Sequence, residues 1–143
     1  MYKRSIFFQI LPQLYHKNAL VITGMRQVGK TTLMQQLFNV WEGKKLWFDF
    51  DNPLDSLLFE NKDYNAIGNA LQREAGCKPG DKLLVCIDEI QNYRVITVII
   101  KYLIDHFGLK FILTGSSNYY LRNLFPESLS GIKFLYEIGR AHV

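Results

Sequence analysis

The sequence predicts an α/β fold, a three-layer α/β/α sandwich around a mainly parallel sheet. Three observations carry this expectation. Short apolar runs at residues 19–23, 46–50, 83–87 and 110–114 read as strands, stretches of helical spacing lie between them, and a glycine-rich turn joins the first run to the helical stretch after it. Strands that alternate with helices build parallel sheets, because a crossover of a dozen or more residues must carry the chain back to its starting edge.

Taken in order, residues 5–15 place Ile6, Phe7, Ile10, Leu11 and Leu14 at helical spacing, interrupted by Pro12. Residues 19–23 form a β-leaning run that stops at Gly24. From Lys30 to Val40, Leu33, Leu37 and Val40 recur on one helical face, which Met34 and Phe38 widen. Residues 46–50 make a second strand, closed by the turn chemistry of Asp51-Asn52-Pro53. A helix is expected over 65–75, then a break at Lys78-Pro79-Gly80-Asp81. Residues 83–87 are almost continuously apolar, as in a strand buried on both faces.

Residues 95–107 set two signals against each other. Val95 to Ile100 favour strand by propensity, whereas Ile96, Ile99, Ile100, Leu103 and Phe107 keep a helical stripe. The crossover that a parallel sheet needs here decides for helix. Residues 110–114 make the next strand and lead into Gly115-Ser116-Ser117-Asn118; residues 132–136 begin one more, expected to be incomplete.

The 143 residues suit a single domain with one core. The net charge of +4 is spread along the chain, with only Lys3-Arg4 and Lys44-Lys45 adjacent, so it lacks the clustered footprint of a nucleic-acid surface. No apolar stretch approaches the roughly 20 residues of a membrane span. The first residues show no signal-peptide pattern, and Cys77 and Cys86 are too few for a disulfide framework. A reducing cytoplasm is the expected compartment. The last seven residues, Glu137–Val143, read EIGRAHV, which matches the translation of a common short-read sequencing adapter. The domain is therefore expected to comprise residues 1–136, with 137–143 a non-native tail that gives Arg140 and His142 no role.

Gly24-Met25-Arg26-Gln27-Val28-Gly29-Lys30-Thr31 fits the pattern G-x-x-x-x-G-K-[ST] at every fixed position. At average composition the pattern arises by chance in roughly one chain in a few hundred of this length, and here it also lies between a strand and a helix. Gly24 and Gly29 let the backbone turn tightly and approach an anion. The N–H groups of the loop and of the following helix converge on phosphates. Lys30 reaches the β- and γ-phosphates, the Thr31 hydroxyl ligates Mg²⁺, and Thr32 donates to the α-phosphate. These readings identify a P-loop NTPase core.

Residues 83–87 deliver Asp88 and Glu89 to the sheet's C-terminal edge, where open α/β folds bind ligands. Asp88 is expected to hold the Mg²⁺ shell and Glu89 to orient or deprotonate the attacking water. Ser116, with Thr114 behind it, is the candidate contact from the strand at 110–114 to the γ-phosphate or the water.

Together, GMRQVGKTTL, CIDEIQ and FILTGSSN resemble the nucleotide loop, hydrolysis carboxylates and sensor segment of prokaryotic AAA-type ATPases that carry an uncharacterised C-terminal domain. Ser128-Leu129-Ser130-Gly131 resembles the segment before that family's last core strand, and the similarity spans roughly residues 4–136. The resemblance implies an AAA-like core with ATP and Mg²⁺ as cofactors, a partner domain downstream, and oligomers in which an arginine finger acts between subunits. Members often carry that Arg directly after the glycine. Here Ile132 stands there, and Arg122, the alternative, is more simply a surface residue.

The expected function is ATP binding and Mg-dependent hydrolysis, coupled to a conformational change in a partner domain or protein. The competing classes are a slow nucleotide-gated binding switch and a small-molecule kinase. Glu89 beside Asp88 argues against the kinase, which needs an acceptor site rather than an activated water. Asn61-Lys62-Asp63-Tyr64 lacks the second Asp of a guanine-reading N-K-x-D, which argues against a GTPase.

Overall fold

The computed structural model describes residues 2–24, 29–116 and 132–138, with the backbone alone described for 2–5 and 132–138. Five strands, β1 (Ala19–Gly24), β2 (Lys44–Asp49), β3 (Leu83–Asp88), β4 (Lys110–Gly115) and β5 (Ile132–Ile138), form one sheet in the order β2-β3-β4-β1-β5. Every pairing is parallel. Helix α1 (Tyr2–Ile10) precedes β1, while α2 (Lys30–Val40) connects β1 to β2, α3 (Tyr64–Ala75) β2 to β3 and α4 (Ile96–Phe107) β3 to β4, the crossovers expected of such a sheet.

Side chains that alternate along a strand point to opposite faces, and the core divides accordingly. Ala19, Val21, Val85, Ile87, Phe111 and Leu113 pack with α3 and α4, whereas Leu20, Ile22, Leu84, Cys86 and Ile112 pack with α1 and α2. The two cores, one on each face, make the three-layer sandwich. β1, β3 and β4 are buried along their whole length, while β2 at one edge is half-exposed.

The ambiguous stretch at 95–107 is helical from Ile96. α4 buries Ile96, Ile99, Ile100, Leu103 and Ile104, the i, i+3, i+4, i+7, i+8 face of a helix, so burial overrides β-propensity. α4 also approaches α3 closely at Gly68, where a Cβ would lie 2.5 Å from the Phe107 ring. The interruption expected at Pro12 is a change of helix type: α1 ends at Ile10, and Pro12 sits in the short 3-10 turn Leu11–Gln13 that follows. The turn expected after β2 forms, with Asn52 N donating to Asp49 O at 2.9 Å, and leads into a 3-10 helix, Pro53–Glu60, whose N-terminus the Asn52 side chain caps. Asp63 caps α3 by accepting from the N–H groups of Asn65 and Ala66. β5 reaches Ile138, two residues past the strand expected at 132–136, and pairs with β1 as far as Gly24.

Lys110 begins β4 and is buried, and it has an unforeseen role. Its Nζ donates to the carbonyls of Gln13, His16 and Asn18 at 3.1, 2.6 and 2.5 Å. The ammonium thus ties the segment between α1 and β1 to the sheet. Burial pushes its pKa down to about 8.

Candidate functional site

Strand order brings the three sequence motifs to one edge of the sheet. β4 lies between β3 and β1, with Ile87 opposite Leu113 and Thr23 opposite Gly115. The C-terminal ends of β1, β3 and β4 are therefore neighbours, although long stretches of chain separate them. Met25, Arg26, Gln27 and Val28, the middle of the glycine loop, lie outside the described residues, as do Arg122 and the segment 128–131.

Gly24 ends β1, and Gly29 starts α2 with φ 91°, a left-handed conformation that favours glycine. The first α-type bond of α2 runs from Leu33 N to Gly29 O at 2.9 Å. The N–H groups of Lys30, Thr31 and Thr32 precede it, in the turn where a helix presents donors and its positive dipole end to an anion. Thr32 is exposed in that turn.

Four side chains from the first two motifs form one cluster. Lys30 Nζ donates to Glu89 Oε2 at 2.6 Å in an ion pair whose side chains are 2% and 5% exposed. Thr31 Oγ1 stands 3.2 and 3.1 Å from the two carboxylate oxygens of Asp88. Charges this deeply buried must be paired and hydrogen-bonded to be tolerated. The third motif completes the network. Thr114 Oγ1 donates to Asp88 Oδ1 and accepts from Glu89 N at 3.0 Å. Ser116 Oγ donates to Glu89 Oε1 at 2.6 Å.

The backbone at Glu89 is unusual. Among the described residues Glu89 is the one non-glycine with positive φ, at φ 57° and ψ 54°, a region that non-glycine residues rarely occupy. The short 3-10 turn Ile90–Asn92 follows directly, and Gln91 Nε2 reaches back to Glu89 Oε1 at 2.9 Å. Burial by itself would raise the Glu89 pKa. The hydrogen bonds from Gln91, Lys30 and Ser116 and the charge of Lys30 outweigh it and hold the carboxyl below its ordinary value. Glu89 is thus ionised at neutral pH.

The donors that converge between Thr31 and Asp88 are all oxygens, a hydroxyl and a carboxylate. Mg²⁺ takes such a set alongside substrate phosphates, so the residues present fit the metal. Among the described residues no group of three or more His, Cys, Asp or Glu is placed to hold an ion by itself. Cys77 and Cys86 are unpaired, and burial raises the Cys86 thiol's pKa far from reactivity. Asp63, considered with Asn61 and Lys62 as a base reader, is occupied as a helix cap.

The structure brings together Lys30, Thr31, Asp88, Glu89, Thr114 and Ser116, all of which the sequence picks out. Gln91 escapes that reading. The signal available was its place two residues after Glu89 in CIDEIQ, but nothing local shows that a tight turn folds its amide back. Among the described residues no helix is long and apolar enough to cross a membrane.

A family model described as an AAA domain matches residues 16–140. No curated protein matches the chain. Among solved structures, Drosophila ORC bound to AT-rich DNA and Cdc6 superposes with a TM-score of 0.64 at 12% identity, over 93% of this chain and 53% of that one. The Walker-type ATPase PABY2304 of Pyrococcus abyssi gives 0.55 at 16% identity, over 97% and 53%. PCH-2 of C. elegans gives 0.57 at 16%, over 96% and 39%. This chain thus spans about half or less of the length of these three structures, and at such identities the likeness is one of fold.

Proposed function

The chain belongs to the AAA-domain family, and from that premise we propose that it binds ATP beyond the end of β1 and hydrolyses it with magnesium. Membership supports nucleotide binding and ATP hydrolysis in general terms; the assignment of steps to residues is our reading. The observation that carries it is the single hydrogen-bonded cluster built from three strand ends: Lys30 and Thr31, Asp88 and Glu89, Thr114 and Ser116.

In this reading the glycine loop and the first turn of α2 cradle the phosphates, and Lys30 binds the β- and γ-phosphate oxygens. Thr31 and Asp88 would hold Mg²⁺, which would supply positive charge to the phosphate oxygens. Glu89 orients the water and takes its proton. The carboxylate is ionised at neutral pH, and it gains basicity when Lys30, one of the groups that lower its pKa, turns to phosphate. Thr114 is buried, and its one proton is committed to Asp88, which leaves it a supporting role. Ser116 is partly exposed at the end of β4, and this favours it as the contact to phosphate or water. Hydrolysis is coupled to movement of a partner domain or protein, with oligomers as the setting.

Glu89→Gln tests the reading. The variant keeps the size of the side chain, so Mg-ATP binding should persist while hydrolysis is lost. Turnover at the parent rate would show that another group activates the water. Tight binding with negligible single-turnover hydrolysis in the parent itself would favour the nucleotide-gated switch.

A further inference from the structure

Glu89 accepts three side-chain hydrogen bonds, and their donors differ in what else they serve. Lys30 donates to Oε2, and Gln91 and Ser116 share Oε1. In the function proposed above, Lys30 turns to phosphate oxygens when nucleotide binds and Ser116 to phosphate or water. Gln91 has no such claim on it. It is neutral, it lies in the same tight turn as Glu89, and its one side-chain hydrogen bond among the described residues goes to that carboxylate.

The amide orientation follows from the chemistry. Nε2 must face the carboxylate, because Oε1 there would set two acceptors against each other. Oε1 is then turned inward, where it is buried with no hydrogen-bond partner. A buried unpaired amide oxygen costs stability. Against that cost the amide supplies one bond, to the Glu89 carboxylate.

We propose that Gln91 is the positioning residue for Glu89, holding its carboxylate in place when phosphate draws Lys30 away. The inference rests on the reading of Glu89 as the base. It adds a hydrogen bond inside the turn, and with it a reason for the left-handed backbone at Glu89. With φ 57° the chain doubles back, so that residues two apart meet at 2.9 Å.

The test measures Mg-ATP affinity and single-turnover hydrolysis for Gln91→Met in the parent and in a Glu89→Gln background. Gln91→Met should bind Mg-ATP within about twofold of the parent while its single-turnover hydrolysis falls about tenfold or more, and Gln91→Glu, which sets a like charge beside Glu89, should fall at least as far. With the carboxylate already gone in Glu89→Gln, the Met substitution should change the residual rate by less than about twofold. Parent-rate hydrolysis in Gln91→Met, a matching loss of Mg-ATP affinity, or an equal fall in both backgrounds would overturn the proposal. Failure of the underlying reading looks different: Glu89→Gln would hydrolyse at the parent rate whatever the Gln91 variants do.

Discussion

Lys30 Nζ lies 2.6 Å from Glu89 Oε2, an ion pair between the first residue of α2 and the first residue beyond β3. Both side chains are buried, so each is the other's principal counter-charge. The same two residues have separate roles in the proposed reaction, one on phosphate and one on water. Phosphate therefore competes with Glu89 for Lys30, and the base is freed from its cation when nucleotide arrives.

Lys30→Ala should abolish measurable ATP binding and leave far-UV circular dichroism nearly unchanged. Removing one partner of a buried pair also lowers stability. Gln91 and Ser116 still serve Glu89, so the loss should be at most ~3 kcal/mol. Isothermal titration with Mg-ATP and a denaturant midpoint check both parts. Wild-type affinity would refute the phosphate cradle.

Asp88→Asn should weaken the magnesium dependence of ATP binding more than binding itself, because it removes the charge beside Thr31. Titrating Mg²⁺ at fixed ATP should show the half-saturating concentration rise about tenfold or more. An unchanged magnesium response would place the metal elsewhere.

The lowered pKa of Glu89 has a consequence for acid stability, and its sign is fixed. A carboxyl whose folded-state pKa lies below its unfolded value stabilises the fold above the unfolded pKa of about 4.5, and that contribution is lost as pH falls through the folded value. Glu89→Gln removes the titration. The stability difference between parent and variant should therefore shrink on acidification from pH 6 to pH 3, as read from urea midpoints. A difference that stays constant would mean the pKa is not lowered.

Lys110→Met should cost about 2–4 kcal/mol, because it leaves the carbonyls of Gln13, His16 and Asn18 without their donor. The loss should appear in thermal or denaturant unfolding, with increased hydrogen exchange in the segment between α1 and β1. Parent-like stability would show that water replaces the ammonium at no cost.

The sequence by itself determined the parts whose signals are local. Gly24 and Gly29 with Lys30 and Thr31 are a pattern of adjacent residues, and the α4 stripe of Ile96, Ile99, Ile100 and Leu103 is set by helical period. The apolar run before Asp88 marks a strand buried on both faces. Tertiary structure decided what meets what. The order β2-β3-β4-β1-β5 places Thr114 against Asp88 and Ser116 against Glu89. It also carries Lys110 to carbonyls as much as 97 residues away in the chain, and the left-handed backbone at Glu89 folds Gln91 onto its carboxylate. These contacts depend on strand register and on the exit direction of a turn. Both are fixed by packing across the whole sheet, so no short window of sequence encodes them.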